Sequence, residues 1–228
     1  MSPVLELYER KFVVGPFQCN CRLLACPTTG EAVLVDAGDE AGKILKGLQG
    51  VEVAPGVPLQ LKYLFHTHGH LDHIAATREV KKETGGTAKI ALHKEDEPLY
   101  ANLKMQGQMF GIRYDDPAPV DLYFEHEQTL KVGKLKFTIV HTPGHSPGSV
   151  CIRLHEDSQA GSKETLFSGD TLFQGSVGRT DLWGANQEQM FKNIKTRILT
   201  LDEDIRVCPG HGPDTRVGVE KRSNPFLT

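Results

Sequence analysis

The sequence predicts an α/β fold, with a four-layer αββα sandwich as the leading architecture and a doubly wound sheet as its rival. Three observations carry this. Strand patterns give way to helix patterns in each half of the chain. Each half also carries hairpin signals, which belong to antiparallel strands. No repeat, low-complexity tract or linker separates the halves, so two sheets covered by helices would bury all their apolar faces together. Residues 1–228 are therefore read as a single domain, since layered folds of roughly 200–250 residues are common as single units.

The first half opens on short strand patterns at residues 4–8 and 12–14. Residues 19–25 and 31–35 follow, and Pro27-Thr28-Thr29-Gly30 between these apolar runs is a turn signal. Asp39 stands where it can cap a helix running to Leu48, with Ile44, Leu45 and Leu48 on one face. Residues 55–58 read as a loop. A strand at 61–65, a helix from 73 to 84 stopped by Gly85-Gly86, and a strand at 87–92 make a βαβ unit. A further helix is predicted over 94–110, and residues 112–120 are predicted to be a loop facing substrate.

The second half is richer in strands. Residues 130–140 alternate apolar and polar about Gly133, as a hairpin with one wet face does. Strands at 149–154 and 165–167 are joined by a polar loop over 156–164. A glycine-rich loop at 174–179 precedes a helix capped by Asn186, whose Met190, Phe191, Ile194 and Ile198 recur at helical spacing. The last strand is 205–208.

Composition narrows the function classes. Hydrophobic residues are 39% and charged residues 24% of the chain, the balance of a protein with a substantial core. A net charge of −3 offers no basic surface for nucleic acid or membrane. No apolar run approaches the ~18–20 residues of a membrane span, and the first residues carry no leader pattern. The five cysteines are odd in number and none is spaced C-x-x-C, which argues against a disulfide framework. Cys19 and Cys21 alternate along a strand, and Cys151 and Cys208 sit in apolar runs, as small core residues of a reducing compartment do. The expected location is the cytoplasm, or an organelle for a chain that has lost a transit peptide.

The chemistry is concentrated in Thr67-His68-Gly69-His70-Leu71-Asp72-His73, a strand-to-helix loop with four metal-ligand side chains in six positions. Three more strand ends carry His145, Asp170 and His211, each beside a glycine. Seven imidazoles and carboxylates exceed what one zinc takes. They suit two ions: three imidazoles for one, two imidazoles and a carboxylate for the other, and a second carboxylate as a bridge. Such pairs stand ~3.5–4 Å apart in two-metal sites. The expected cofactors are two divalent ions, zinc first, with iron or manganese accepted by the same ligand types. His93, His126, His141 and His155 read as ordinary structural histidines. His66 points to the opposite face of its strand end from Thr67 and reads as structural or supporting.

These segments resemble the metallo-β-lactamase superfamily, and within it the glyoxalase II-like (hydroxyacylglutathione hydrolase-like) enzymes. The segments that carry the resemblance are residues 34–38, 67–73, 141–149, 167–173 and 209–213. The resemblance implies an αββα fold. It also implies that His68, His70 and His145 hold one metal, that Asp72, His73 and His211 hold the other, and that Asp170 bridges. Glyoxalase II continues into a helical C-terminal domain whose basic residues grip glutathione. This chain stops soon after His211 and so resembles a short subgroup of the family.

The function expected is metal-dependent hydrolysis of a small-molecule thioester such as S-lactoylglutathione, by a hydroxide held between two ions. Asp72 and Asp170 would orient that hydroxide. Asp36 would support a ligand histidine from behind. Arg179 is a candidate for a substrate carboxylate, or for a salt bridge within its own loop to Asp181. Two alternatives stand beside hydrolysis. The stretch 175–181 is shared with that short subgroup and with the persulfide dioxygenases, and the latter resemblance implies one iron held through His68, His145 and Asp170. A metal-dependent nuclease or RNA-binding protein of the same superfamily is the other, and the missing basic stripe argues against it.

Overall fold

The structure is a computed structural model, described here for residues 6–157 and 163–228. Two six-stranded sheets form its centre. The first contains β1 (Tyr8–Val14), β2 (Cys19–Ala25), β3 (Glu31–Val35), β4 (Gln60–Phe65), β5 (Lys89–His93) and β6 (Leu122–Phe124), side by side in chain order. The pairs β1/β2 and β2/β3 are antiparallel, and β3/β4, β4/β5 and β5/β6 are parallel. The second contains β7 (Thr129–Val132), β8 (Leu135–His141), β9 (Val150–Leu154), β10 (Thr165–Gly169), β11 (Arg206–Pro209) and β12 (Thr215–Arg216), again in chain order across the sheet. There only β10/β11 is parallel.

Alternation along these strands builds three apolar layers. On β2, Leu24 faces the other sheet and Leu23 faces the outer helices; on β10, Phe167 and Leu166 divide in the same way. The middle layer joins Phe65, Phe124 and Phe137, whose rings meet edge to face at 5.3 and 5.8 Å. The outer layer of the first sheet packs α1 (Ala41–Leu48) through Ile44 and Leu48. α2 (Leu71–Ile74) and α3 (Thr77–Glu83) join it through Ile74 and Val80. The outer layer of the second sheet takes Met190 from α6 (Gln187–Asn193) and Val217 from α7 (Val217–Ser223). Helix, sheet, sheet and helix are thus four layers, and the doubly wound single sheet is excluded.

Several local expectations change. The strands expected at 4–8 and 12–14 are one strand, β1, with residues 1–5 outside the described residues. Part of the loop expected at 156–164 lies outside them as well. Asp39 does not cap α1: its carboxylate accepts from Glu40 N and from the Tyr114 hydroxyl, and Glu40, at φ +48°, is the residue that precedes the helix. Residues 55–58 belong to a small ribbon of Glu52–Ala54 with Val57–Pro58. The helix expected over 94–110 is a 3₁₀ turn, α4 (Glu97–Ala101) and α5 (Leu103–Met109). All five cysteines are free and buried. No helix among the described residues is long and apolar enough to cross a membrane.

Candidate metal centre

The loops leaving β4, β8, β10 and β11 converge at one end of the sandwich. Parallel pairing aligns the ends of β10 and β11, with Gly169 opposite Pro209, so Asp170 and His211 leave side by side. At Gly210 a Cβ would stand 2.3 Å from Asp170 Oδ1 and 2.6 Å from His73 Cε1. Only glycine lets the backbone pass so close.

All seven predicted ligand side chains meet there. One donor atom each of His68, His70 and His145 lie within 4.8 Å of one another, and so do those of Asp72, His73 and His211. His70 Nδ1 is 2.9 Å from His145 Nε2. His73 Nε2 is 3.3 Å from His211 Nε2, which is 3.1 Å from Asp72 Oδ2. Asp170 stands between the two triads, with Oδ1 3.3 Å from His73 Nε2 and Oδ2 3.7 Å from His145 Nε2.

The donor set can be tested for cations on its own atoms. His68 Nε2 and Asp170 Oδ1 are buried and make no hydrogen bond. Buried polar atoms are nearly always satisfied, so orphaned atoms facing other nitrogens and carboxylate oxygens require a further partner. Imidazole and carboxylate are the donors that zinc and similar divalent ions take. The residues present fit two such ions.

The imidazoles are fixed from behind. His68 Nδ1 donates to Thr67 Oγ1 at 3.1 Å, and Thr67 Oγ1 donates to Asp36 Oδ2 at 2.8 Å. Asp36 Oδ2 also lies 3.0 Å from His73 Nδ1. His145 Nδ1 donates to the Arg179 carbonyl at 2.8 Å. Each bond leaves the other ring nitrogen, Nε2, directed to the centre. Burial drives the pKa of His68 well below its ordinary value and that of His70 down to about 3, which keeps both rings neutral and able to ligate. Burial would lower His73 too, but Asp170, Asp72 and Asp36 around it lift it well above. Burial would raise Asp170, yet His73, His145 and His211 hold it well below the usual carboxylate range.

The remaining predicted residues divide. Asp36 stands behind His73 and Thr67, as expected of a supporting carboxylate. His66 turns away from the centre and bonds the His73 carbonyl and Thr77. His93 and His141 form a separate stacked pair, their ring centroids 3.8 Å apart. Arg179 reaches the centre through its backbone carbonyl, while its guanidinium holds both oxygens of Asp181 at 2.7 Å. Residues 112–120 do not face the centre: 113–117 wall a different groove beside α3. The cavity above the ligands is lined instead by Phe17, Met109, Phe110, Leu182 and Trp183.

Three supporting residues escaped the sequence reading. Asp96, fully buried, accepts from Gly69 N and Ser146 Oγ on Oδ2 and from Gly148 N on Oδ1, tying the first histidine loop to that of His145. Gln106 donates to the Gly69 carbonyl and accepts from Leu71 N. Asn20 donates to the Pro209 and Gly212 carbonyls, on both sides of His211. Each lies far in sequence from a loop it holds, and no local pattern marks it.

Comparison with known proteins places this geometry. The model of the metallo-beta-lactamase superfamily matches residues 14–211. The chain is 37% identical over 215 residues to hydroxyacylglutathione hydrolase GloC of Haemophilus influenzae, covering 94% of this chain and 95% of that one. Among solved structures, the BLEG-1 B3 metallo-beta-lactamase is 34% identical with a TM-score of 0.82, over 97% of this chain and all (100%) of that one. TTHA1623 in a di-iron-bound form is 36% identical with a TM-score of 0.79, over 96% and 100%. With the four-layer fold and the gathered His/Asp set, these matches lead to one conclusion: the chain belongs to the metallo-beta-lactamase superfamily.

Proposed function

We propose that this chain is a thioester hydrolase that works with two divalent ions. The observation that carries the reading is the pair of three-residue donor sets with Asp170 between them, including orphaned atoms on His68 and Asp170. His68, His70 and His145 would hold one ion, Asp72, His73 and His211 the other, and Asp170 both. Zinc is the ion favoured by the donors, with iron and manganese as chemical equivalents. When bound, such ions supply Lewis acidity and bring the ionisation of water near neutral pH.

The chain's own groups complete the site. Asp72 and Asp170 have lowered pKa values against the pull of burial, so both are carboxylates at neutral pH and accept hydrogen bonds from the attacking water. Asp36, Thr67 and the Arg179 carbonyl hold the imidazoles in place. Water adds to the acyl carbon, the carbon–sulfur bond breaks, and the products are a carboxylate, a thiol and a proton. The name of the GloC relative supports a thioester of glutathione as the first assay substrate.

The Asp170→Ala variant is expected to lose both metal content and turnover of S-lactoylglutathione. Parental turnover by that variant would contradict the reading. Oxygen uptake with glutathione persulfide by a chain holding one iron would replace it with the dioxygenase alternative.

A further inference from the structure

Among the described residues, four of the eight exposed large apolar side chains line a single cavity, the one above the metal centre: Phe17, Met109, Phe110 and Trp183. Trp183 is 63% exposed and Met109 77%. The Phe17 and Phe110 rings meet edge to face at 5.1 Å, although they come from the turn after β1 and the end of α5. Scattered surface apolar residues are ordinary, whereas their concentration on one concave surface marks a binding site. The cavity measures about 330 Å³, at the small end for ligand sites.

Apart from the candidate metal donors at its floor, two polar side chains line it, Gln106 and Arg179. Among the described residues Arg179 is the one guanidinium that lines it, and it holds both oxygens of Asp181 through Nε and Nη2. Gln106 spends its amide on Leu71 N and on the Gly69 and Leu99 carbonyls. No lysine among the described residues lines the cavity. Glutathione brings two carboxylates and an ammonium, and each would need a partner to leave water. An apolar group needs none, and it would cover side chains that water now touches.

We propose that the site selects thioesters bearing an apolar acyl group, aliphatic or aromatic, which packs against Phe110 and Trp183. The proposal rests on the thioesterase reading and narrows it: the acyl group, not the glutathione carboxylates, supplies the recognition. The reaction is unchanged, a water and a thioester giving a carboxylate, a thiol and a proton.

The test uses the metal-loaded chain with lactoyl, hexanoyl and phenylacetyl thioesters of N-acetylcysteamine, and S-lactoylglutathione. The hexanoyl and phenylacetyl compounds are expected to exceed the lactoyl one in kcat/KM by roughly tenfold or more, the scale of discrimination by a hydrophobic pocket. Changing the lactoyl carrier from N-acetylcysteamine to glutathione is expected to alter kcat/KM by less than about threefold, because the one guanidinium at the cavity is paired with Asp181. Trp183→Ala and Phe110→Ala should each collapse the apolar-to-lactoyl ratio toward one. Trp183 is the chain's single tryptophan. Its emission should therefore respond to the inert thioether S-benzyl-N-acetylcysteamine, and not to the S-methyl analogue. Hydrolysis that favours S-lactoylglutathione, with the ratio indifferent to both variants, overturns the apolar selection and leaves the thioesterase reading standing. An emission response to the benzyl thioether without hydrolysis of any thioester upholds the apolar site and removes that reading.

Discussion

Asp96 gives no atom to the metal centre, yet its two oxygens receive three hydrogen bonds from the loops that carry His70 and His145. Removing it leaves two buried backbone N–H groups unpaired and frees the loops to drift. Asp96→Ala is expected to weaken metal affinity at least roughly tenfold, the usual scale for groups behind a ligand, with Asp96→Asn restoring part of it. Competition against a chromophoric chelator measures this. Unchanged affinity in the alanine variant would show that Asp96 serves stability alone. The acid response is also set residue by residue. Burial lowers His66 from 6.5 to about 4, so between these values the unfolded chain binds the proton and the folded chain does not. Stability therefore falls as pH drops from 6.5 to about 4, by a few kcal/mol from a group so deeply buried (~1.4 kcal/mol per pKa unit). His70 acts in the same direction. His73 and His211, both raised, act in the opposite direction, chiefly above this window, where the folded chain holds protons that the unfolded chain has released. Urea midpoints of the metal-free protein at several pH values test the sign. The candidate ligand histidines of residues 68–73 stand out in the sequence because four ligand types crowd into six positions. Asp96, Gln106 and Asn20 were not, because their meaning lies in contacts across the fold.

At the scale of elements, the sequence pattern located helices better than it located their breaks. The helix expected from 73 to 84 is divided into α2 and α3, because Ala76 N donates to the Ala37 and Gly38 carbonyls instead of continuing the helical ladder. A Cβ on Gly38 would stand 1.9 Å from the Asp72 carbonyl oxygen, so the loop after β3 presses directly on α2. That contact joins segments more than thirty residues apart, and periodicity within the helix does not contain it. Further along, Pro98 near the start of α4 and the Asn102 amide bonded to the Pro98 carbonyl accompany the division of 94–110. The start of α6 was legible, since Asn186 accepts from Gln189 N as an N-cap should. Its N–H also donates to the Gly144 carbonyl, beside His145. Gly144, at φ +145°, lets Met190 approach so closely that a Cβ there would lie 2.3 Å from the Met190 Cβ. Asn186→Ala is expected to cost about 1 kcal/mol of stability, read from denaturant unfolding. No loss would mean that the Gly144 contact, not the side-chain cap, holds the helix start.

For the whole molecule, alternation within strands predicted two-faced sheets but did not say whether there was one sheet or two. The decision lies in pairing. β1 through β6 and β7 through β12 each close on their own neighbours, and the Phe65, Phe124 and Phe137 layer fills the space between. This arrangement also explains why seven candidate ligands spread from residue 68 to residue 211 meet. Four strand ends point the same way, and the two halves of the chain each supply part of both triads' surroundings. The central claim is that this convergence builds a two-ion hydrolytic site. Metal analysis of the purified chain, paired with a thioester hydrolysis assay on the same sample, tests it most directly. About two divalent ions per chain are expected, with turnover that rises with occupancy of the second. A content fixed at one iron per chain, with oxygen consumed in the presence of glutathione persulfide and no thioester cleaved, would contradict it.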